Sequence, residues 1–182
     1  MIRLFVALKI PFNIRNEITS LRNKAFANYN QFKWEPEDKI HLTLKFIGEV
    51  KEELTEPIAK SLKFVESYDR FYCTLKNFCF FYNKNEPKIL WMGLNIGNEI
   101  INLVEEINNE LEKFSIPPDK RKFQSHLTIK RLKGNEGNNF VKSFKDFRVP
   151  EIRFYSGEIA LYKSELFPSG SKYTEIENYK LK

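Results

Sequence analysis

Histidine and cysteine are both scarce in this chain, with two of each among 182 residues. Cys73 and Cys79 lie in an aromatic, strand-like stretch, where cysteine is most often a small buried hydrophobic residue. The chain therefore lacks the cysteines for a disulfide framework, and neither cysteine has an obvious base partner for nucleophilic catalysis. No Gly-x-Ser-x-Gly elbow is present either.

Long apolar runs are also missing. No stretch approaches the roughly 20 apolar residues that span a bilayer, and Lys9 and Pro11 interrupt the apolar start of the chain before any cleavage site of a signal peptide. The composition is 42% hydrophobic and 30% charged, which is typical of a globular protein. We expect no membrane association, a cytoplasmic location and a monomer.

Neither glycine-containing loop, at residues 134–139 and 167–170, has the Gly-Lys-Ser/Thr ending of a P-loop. The net charge of +6 favours polyanionic or phosphorylated partners, but a solvated lysine-rich surface explains it equally well.

The two histidines occur in two copies of one pentad, His41-Leu-Thr-Leu-Lys45 and His126-Leu-Thr-Ile-Lys130. Strand alternation from residue 40 to residue 47 predicts that Leu42, Leu44 and Phe46 share a buried face, with His41, Thr43 and Lys45 on the other. Each histidine is therefore expected to share a face with the threonine two residues later.

Hydrophobic periodicity divides the chain into helices and strands. It predicts helices at about 11–28, 51–67, from Asn98 (a candidate cap) onward, and 139–147. Strands are predicted at 2–10, 40–47, 71–82 (one or two), 89–96, 152–155, 158–163 and 173–179, with a turn at 83–87.

The strand-and-helix order of the first part recurs in the second. The offset between matching strand residues Val6 and Met92 is 86, and the offset between the histidines is 85. This agreement predicts a duplication. The fold class is then α+β: one domain over residues 1–182, built as two pseudo-symmetric lobes with approximate halves 1–86 and 87–182, which need not be contiguous.

Two imidazoles in one cleft can rest with one neutral and one protonated, because the ordinary pKa of histidine is about 6.5. With the hydroxyls of Thr43 and Thr128 they could surround one phosphate, so that a base activates water and an acid protonates the leaving oxygen. No cofactor is needed, and two histidines without an acid or cysteine in either pentad make a poor metal site. The residues alone do not assign the two roles.

These features resemble the 2H phosphoesterase superfamily, and within it the RNA 2′,3′-cyclic phosphodiesterases, also called 2′-5′ RNA ligases. The resemblance rests on the two His-x-Thr-x motifs and on flanks that extend over essentially the full chain. These flanks are Arg3–Ala7, Trp34 and Pro36, the run 41–50, Lys120–Phe123 with Arg131, and Ser164, Gly170 and Tyr173.

The resemblance implies two lobes of antiparallel sheet with outer helices around a cleft that holds both motifs. It also implies metal-independent opening of RNA 2′,3′-cyclic phosphate ends to 2′-phosphates. His41 would be the proton donor to the departing 3′ oxygen, His126 the proton acceptor from water, and Thr43, Thr128 and Arg131 the phosphate-binding residues.

Arg131 poses a geometric question, since strict alternation places it on the face opposite His126. A bulge or strand end at Lys130 would bring it to the cleft. Lys45 and Lys130 are expected to be solvated lysines. Phe5, Trp34 and Tyr173 could stack on a base, although core packing is the default for such residues.

Three alternatives stay open at this point. The same site could act on a small cyclic nucleotide, it could join 2′-5′ ends in the reverse reaction, or the chain could be an RNA-end-binding module without catalysis.

Overall fold

A single antiparallel sheet organises the chain. The computed structural model describes residues 1–134, 136–143, 147–168 and 170–182. These residues form eight strands: β1 (Ile2–Lys9), β2 (His41–Val50), β3 (Phe71–Asn83), β4 (Glu86–Ile96), β5 (His126–Arg131), β6 (Arg153–Ser156), β7 (Glu158–Phe167) and β8 (Gly170–Lys180). Their order in the sheet is β6-β3-β4-β5-β2-β1-β7-β8.

Helices contribute their apolar faces to the core of this sheet. They are α1 (Phe12–Ala25), α2 (Thr55–Ser61), α3 (Glu99–Glu112) and α4 (Asn138–Lys142). The periodicity that predicts α1 comes from apolar residues at steps of three and four, and these are buried in the structure: Ile14, Ile18, Leu21 and Ala25. These residues join the buried side chains of the strands in one hydrophobic cluster, and the predicted α+β class with an antiparallel sheet is confirmed.

The two motif strands, β2 and β5, lie side by side at the centre of the sheet, flanked by β1 and β4. Beyond these strands, neighbours in the sheet are not always neighbours in the sequence. Strand β3 pairs with β4, whereas β7, from the other end of the sequence, pairs with β1. The predicted boundary at residues 86 and 87 falls at the start of β4, and the duplication itself stays a prediction.

The helix predicted over residues 51–67 is wrong as one continuous element. A 3₁₀ turn (Glu52–Leu54) precedes α2, and a second 3₁₀ segment (Leu62–Ser67) follows it. Pro57 explains the upstream break, because proline lacks an N–H and its ring clashes with the carbonyl of the fourth residue before it in a regular helix. Residues of the predicted stripe, such as Ile58 and Leu62, are still buried.

The cap predicted for α3 is confirmed in position only, since Asn98 directly precedes Glu99, the first residue of the helix. Asn98 has the backbone angles of a helical residue (φ −66°, ψ −18°), and its side chain makes no capping hydrogen bond. Its carbonyl oxygen instead accepts a hydrogen bond from the Ile101 N–H.

The remaining predicted elements are present with shifted ends. The 71–82 region is one strand rather than two, and the helix predicted near 139–147 is the short α4. Residues 144–146 of that prediction, Asn135 of one predicted loop and Ser169 of the other lie outside the described residues. None of the described helices has both the length and the apolar character that crossing a membrane requires.

Candidate active site

The two pentads meet at the middle of the sheet. Strands β2 and β5 pair through Leu42 and Leu127, the residues that directly follow the two histidines. In an antiparallel pair this register puts His41 beside Thr128 and Thr43 beside His126. The histidine and threonine of one motif therefore face those of the other across an approximate two-fold axis.

Each motif strand carries a β-bulge just after its threonine. In β2, Thr43 pairs with Ala7 but Lys45 pairs with Val6, so Leu44 is the extra residue. In β5, Thr128 pairs with Trp91 and Lys130 with Leu90, which makes Ile129 the extra residue. A bulge of one residue reverses the facing of every side chain that follows it.

The bulges decide where the next residues of each motif point. Arg131 comes to the cleft side, as the hypothesis of a bulge near Lys130 required; its contact with a phosphate stays a prediction. Phe46, predicted on the buried face, is 63% exposed at the cleft. The solvated positions expected for Lys45 and Lys130 are wrong, because the same reversal buries both side chains.

One cavity of about 360 Å³ brings the predicted site residues together. His41, Thr43, His126, Thr128 and Arg131 all line it. The cavity also includes residues that sequence reasoning did not assign to the site: Arg3, Leu4, Glu35, Lys39, Phe46, Gly48 and Ile89. The motifs are thus neighbours in space, although 85 residues separate their histidines.

Both imidazoles are oriented by the backbone two residues earlier. The Nδ1 atom of His126 lies 2.8 Å from the carbonyl oxygen of Gln124, and the backbone of Lys39 hydrogen-bonds His41 in the same relation. A carbonyl only accepts, so Nδ1 of His126 carries the hydrogen and Nε2 is left for a proton exchange. The Nε2 atom of His41 lies 3.1 Å from the hydroxyl of Thr43.

Aromatic rings surround both imidazoles. Phe5 stacks on His41 at 5.1 Å between ring centroids, and Tyr173 meets the same ring edge-on at 5.6 Å. On the other side, Phe81 contacts His126 edge-on at 4.9 Å. Phe5 and Tyr173 thus pack against the ring of His41, whereas Trp34 packs against other aromatic residues of the core.

This environment disfavours charge on both histidines. Burial is the largest cause and lowers the pKa of His41 to about 4; the Lys39 backbone opposes the shift, while the charges of Arg131 and His126 add to it. Burial, together with Arg131, also lowers the pKa of His126 below 6.5. With both pKa values below 6.5, we expect both imidazoles to be mostly neutral near pH 7.

Arg131 supplies a positive charge to the cavity wall. Its Nε lies 3.7 Å from a carboxylate oxygen of Glu35, and its side chain is 59% exposed. Glu35 is held in turn by its own N–H, which donates to the carbonyl of the bulge residue Ile129 at 3.0 Å. Lys39 and Arg3 add positive charge to the wall, although Arg3 pairs with Glu49 at 3.1 Å.

Phe46 is the clearest residue that sequence reasoning missed. It stands five positions after His41, as Arg131 stands five positions after His126. Applying the bulge considered for the second motif to the first would have moved Phe46 to the cleft.

Among the residues that the structure describes, no three His, Cys, Asp or Glu side chains form a group that could hold a metal ion.

Comparison with known proteins gives one consistent family. A family model described as LigT like Phosphoesterase matches residues 8–91 and 94–173. A protein of Thermotoga maritima named RNA 2′,3′-cyclic phosphodiesterase is 30% identical over 94% of this chain and 91% of its own length. A protein of the same name from Methanocaldococcus jannaschii is 31% identical over 97% of this chain and 99% of its own.

Solved structures share the fold. The crystal structure of a Thermus thermophilus protein, TT0787, has a TM-score of 0.80 at 25% identity, covering 98% of this chain and 97% of the other. Escherichia coli LigT complexed with 3′-AMP has a TM-score of 0.77 at 22% identity, covering 99% and 98%. The family model and the two relatives of at least 30% identity show that the chain belongs to the LigT-like phosphoesterase family.

Proposed function

We propose that this protein hydrolyses the 2′,3′-cyclic phosphate at RNA ends to a 2′-phosphate, without a metal ion. The observation that carries the proposal is the single cavity lined by both His-x-Thr pairs and by Arg131. The names of the curated relatives support the substrate class.

The reaction uses the two imidazoles on opposite sides of one phosphorus atom. Water attacks phosphorus while His126 takes a proton from that water. The bond between phosphorus and the 3′ oxygen breaks, and His41 gives its proton to the departing oxygen. The products are a 2′-phosphate and a free 3′ hydroxyl, and each proton transfer is expected to contribute about 10²- to 10⁴-fold.

The threonines and Arg131 act on the phosphate itself. The hydroxyls of Thr43 and Thr128 donate to its non-bridging oxygens, and the guanidinium of Arg131 offsets the negative charge that increases during displacement. Bound phosphate also opposes the effects that hold the His41 pKa near 4, because an anion favours the protonated imidazole. Substrate binding therefore helps to charge the acid.

The apolar end of the cavity suits a nucleoside. Phe46 offers an exposed ring in the cavity that Gly48 and Ile89 also line, and bases stack on such rings with little dependence on sequence. An RNA end or a nucleotide cyclic phosphate could occupy this end.

Product analysis tests the proposed activity directly. An oligonucleotide ending in a 2′,3′-cyclic phosphate is incubated with the protein in EDTA, and the new end is identified by phosphorus NMR. We expect a 2′-phosphate and a rate that EDTA does not change. A 3′-phosphate, binding without turnover, or loss of the rate in EDTA would contradict the proposal. A nucleoside 2′,3′-cyclic phosphate measured in parallel shows how much the rest of the RNA adds.

The roles of the histidines need a second substrate, in which sulfur replaces the 3′ oxygen. A thiolate leaves without prior protonation, so removal of the general acid costs little on this substrate. We expect His41→Ala to regain most of its lost rate on the sulfur substrate and His126→Ala to regain none. The opposite pattern would exchange the two roles.

Location and assembly belong to the same proposal. We expect a cytoplasmic monomer, as the sequence suggested. Gel filtration with light scattering tests the monomer, and fractionation of the source cells tests the location.

A further inference from the structure

Each pentad ends in a lysine that the proposed reaction does not use. The bulges at Leu44 and Ile129 turn Lys45 and Lys130 away from the cleft, and the two residues are only 2% and 3% exposed. Lysine is rarely buried to this extent unless its ammonium group is paired.

Lys45, in the first motif, holds the loop that leads into the second. Its Nζ donates to the carbonyl oxygen of Pro117 at 2.8 Å and lies 3.4 Å from a carboxylate oxygen of Asp119. Residues 113–125, the second approach loop, connect α3 to His126 without helix or strand. The Asp119 N–H also donates to the Asn108 side chain at 3.3 Å, which gives this loop another attachment.

Lys130, in the second motif, holds the loop that leads into the first. Its Nζ donates to the carbonyl oxygen of Lys33 at 3.0 Å and lies 5.2 Å from the ring centre of Phe32. Residues 30–40, the first approach loop, lead directly into His41 at the start of β2. The ammonium is neutralised by buried Glu136 at 3.2 Å.

The two contacts are therefore crossed: the lysine of one motif holds the approach loop of the other. Each approach loop also supplies the backbone group that orients its histidine, Lys39 for His41 and Gln124 for His126. A shift of either loop would move an imidazole relative to the phosphate, and an error near 1 Å can cost about 10²-fold in rate.

Stability alone is a weak reason for these lysines. Desolvating an ammonium group is costly, and a well-packed apolar side chain often stabilises as well as a buried ion pair. A contact that fixes the geometry of a site is a second reason for a buried ammonium group at these positions.

We infer that Lys45 and Lys130 are positioning residues, each of which holds the approach loop of the opposite motif and so sets the place of the opposite histidine. The inference takes the histidines as the reacting groups and in that respect rests on the proposed function. The structural part of its test does not need turnover.

Proton NMR gives a clean structural readout, because the chain has only two histidines and hence one set of ring signals for each. His41→Asn assigns them. In Lys45→Met we expect the His126 signals to move and those of His41 to stay, and in Lys130→Met the reverse. A change confined to the histidine of the same strand, or no change in either, would overturn the inference.

Kinetics supply the second readout. We expect kcat to fall roughly 10- to 100-fold in Lys45→Met while KM stays within about twofold, because the cavity wall is intact and only the alignment is lost. A normal kcat, or a loss entirely in KM, would contradict a positioning role. If the wild-type protein turns over no cyclic phosphate, the proposed function fails, but the NMR result still decides the crossed contacts.

Two controls separate geometry from charge and from folding. Asp119→Asn removes the opposing charge but leaves the Lys45 contact with Pro117, and it should leave the His126 signals in place. Thermal melts check each variant. If Lys130→Met leaves Glu136 unpaired and does not fold, Lys45→Met decides alone, since the Asp119 side chain is 48% exposed and is not stranded as a buried charge.

Discussion

The fifth residue after each histidine shows how a local backbone feature assigns a side chain to the site. Phe46 and Arg131 occupy this position in the two motifs, and both line the cavity because each follows a bulge. One is an exposed ring and the other an exposed cation. The two pentads are nearly identical, and the asymmetry of the site begins at this position.

Phe46 is expected to bind the nucleoside rather than to take part in the chemistry. Phe46→Ala should raise KM for a cyclic-phosphate substrate by about 10-fold or more with little change in kcat, since a stacked base contributes about 1–3 kcal/mol. Phe46→Tyr should keep most of the affinity. Phe12→Ala is the matched control, because Phe12 is as exposed (65%) but does not line the cavity. Equal effects of the two alanine variants would remove Phe46 from the site.

The pH dependence of kcat/KM should reflect the lowered pKa values of the free protein. The reaction needs one protonated and one neutral imidazole, and His41 has a pKa of about 4 while that of His126 also lies below 6.5. We expect a bell-shaped profile with its maximum below pH 6.5, whose two limits belong to the pair. The maximum of kcat should lie at higher pH, because bound phosphate favours the charged form. A kcat/KM that rises steadily through pH 8 would contradict this account.

The five site residues named from the sequence all line one cavity, because paired motifs and family flanks identify positions without coordinates. Sequence reasoning misplaced Phe46, Lys45 and Lys130 because strict alternation assumes an unbroken strand. A bulge depends on how the neighbouring strand pairs, and the local sequence Thr43-Leu-Lys45 does not predict it.

At the scale of single elements, the hairpin between β3 and β4 contains backbone strain. Lys84 and Asn85 both have positive φ, 48° and 64°, between the paired residues Asn83 and Glu86. Two-residue hairpin loops of this kind favour Asn-Gly, and a lysine side chain does not tolerate the left-handed conformation as well as asparagine or glycine does.

The double substitution Lys84→Asn/Asn85→Gly should therefore raise the free energy of unfolding by about 1 kcal/mol, or roughly 2–4 °C in melting temperature for a chain of this size. Urea and thermal unfolding measure the effect. Lys63→Asn, in a right-handed 3₁₀ segment, is the control and should not stabilise. An unchanged or lower midpoint in the hairpin variant would show that the turn is not strained.

For the other elements as well, some features follow from the local sequence and others from contacts with distant residues. The apolar stripe of α1 and the strand around His41 followed from periodicity, and the strand around His126 followed from the repeat of the pentad. The segmentation of residues 51–67 was also encoded locally, by Pro57, but the stripe outweighed it in the prediction. Asn98 is the N-cap residue of α3 as predicted, but its side chain makes no capping hydrogen bond, because residue type permits such a bond without requiring it.

At the scale of the whole molecule, the strand order brings the two ends of the sequence together, since the N-terminal strand β1 pairs with the C-terminal strand β7. Sequence offsets predicted two matched units, but which lobe receives β3 or β7 depends on pairings between residues that are distant in the chain. Strands β2 and β5 pair at the centre of the sheet, and the cavity lined by both motifs lies there.

Stability should also depend on pH through the buried histidine. The pKa of His41 is about 6.5 in the unfolded chain and about 4 in the folded protein. Between these values the unfolded chain binds more protons, so the free energy of unfolding falls as the pH is lowered from about 6.5 to about 4, by at most about 1.4 kcal/mol per pH unit for this group.

Urea unfolding of the wild type and of His41→Asn at pH 7.0, 5.5 and 4.5 isolates this contribution from that of the carboxylates. The wild type should lose more stability than the variant over this range. Parallel losses would show that His41 keeps an ordinary pKa in the folded protein.

The central claim is that His41 and His126 act as one unit on a single phosphate. The most direct test is the turnover of a 2′,3′-cyclic-phosphate oligonucleotide by His41→Ala, His126→Ala and the double variant, each shown to be folded by thermal melting. Groups that act as a unit give non-additive losses, so each single variant should lose at least about 10²-fold in kcat and the double variant little more than the worse single. Substantial turnover by either folded single variant, or losses that multiply in the double variant, would contradict the account.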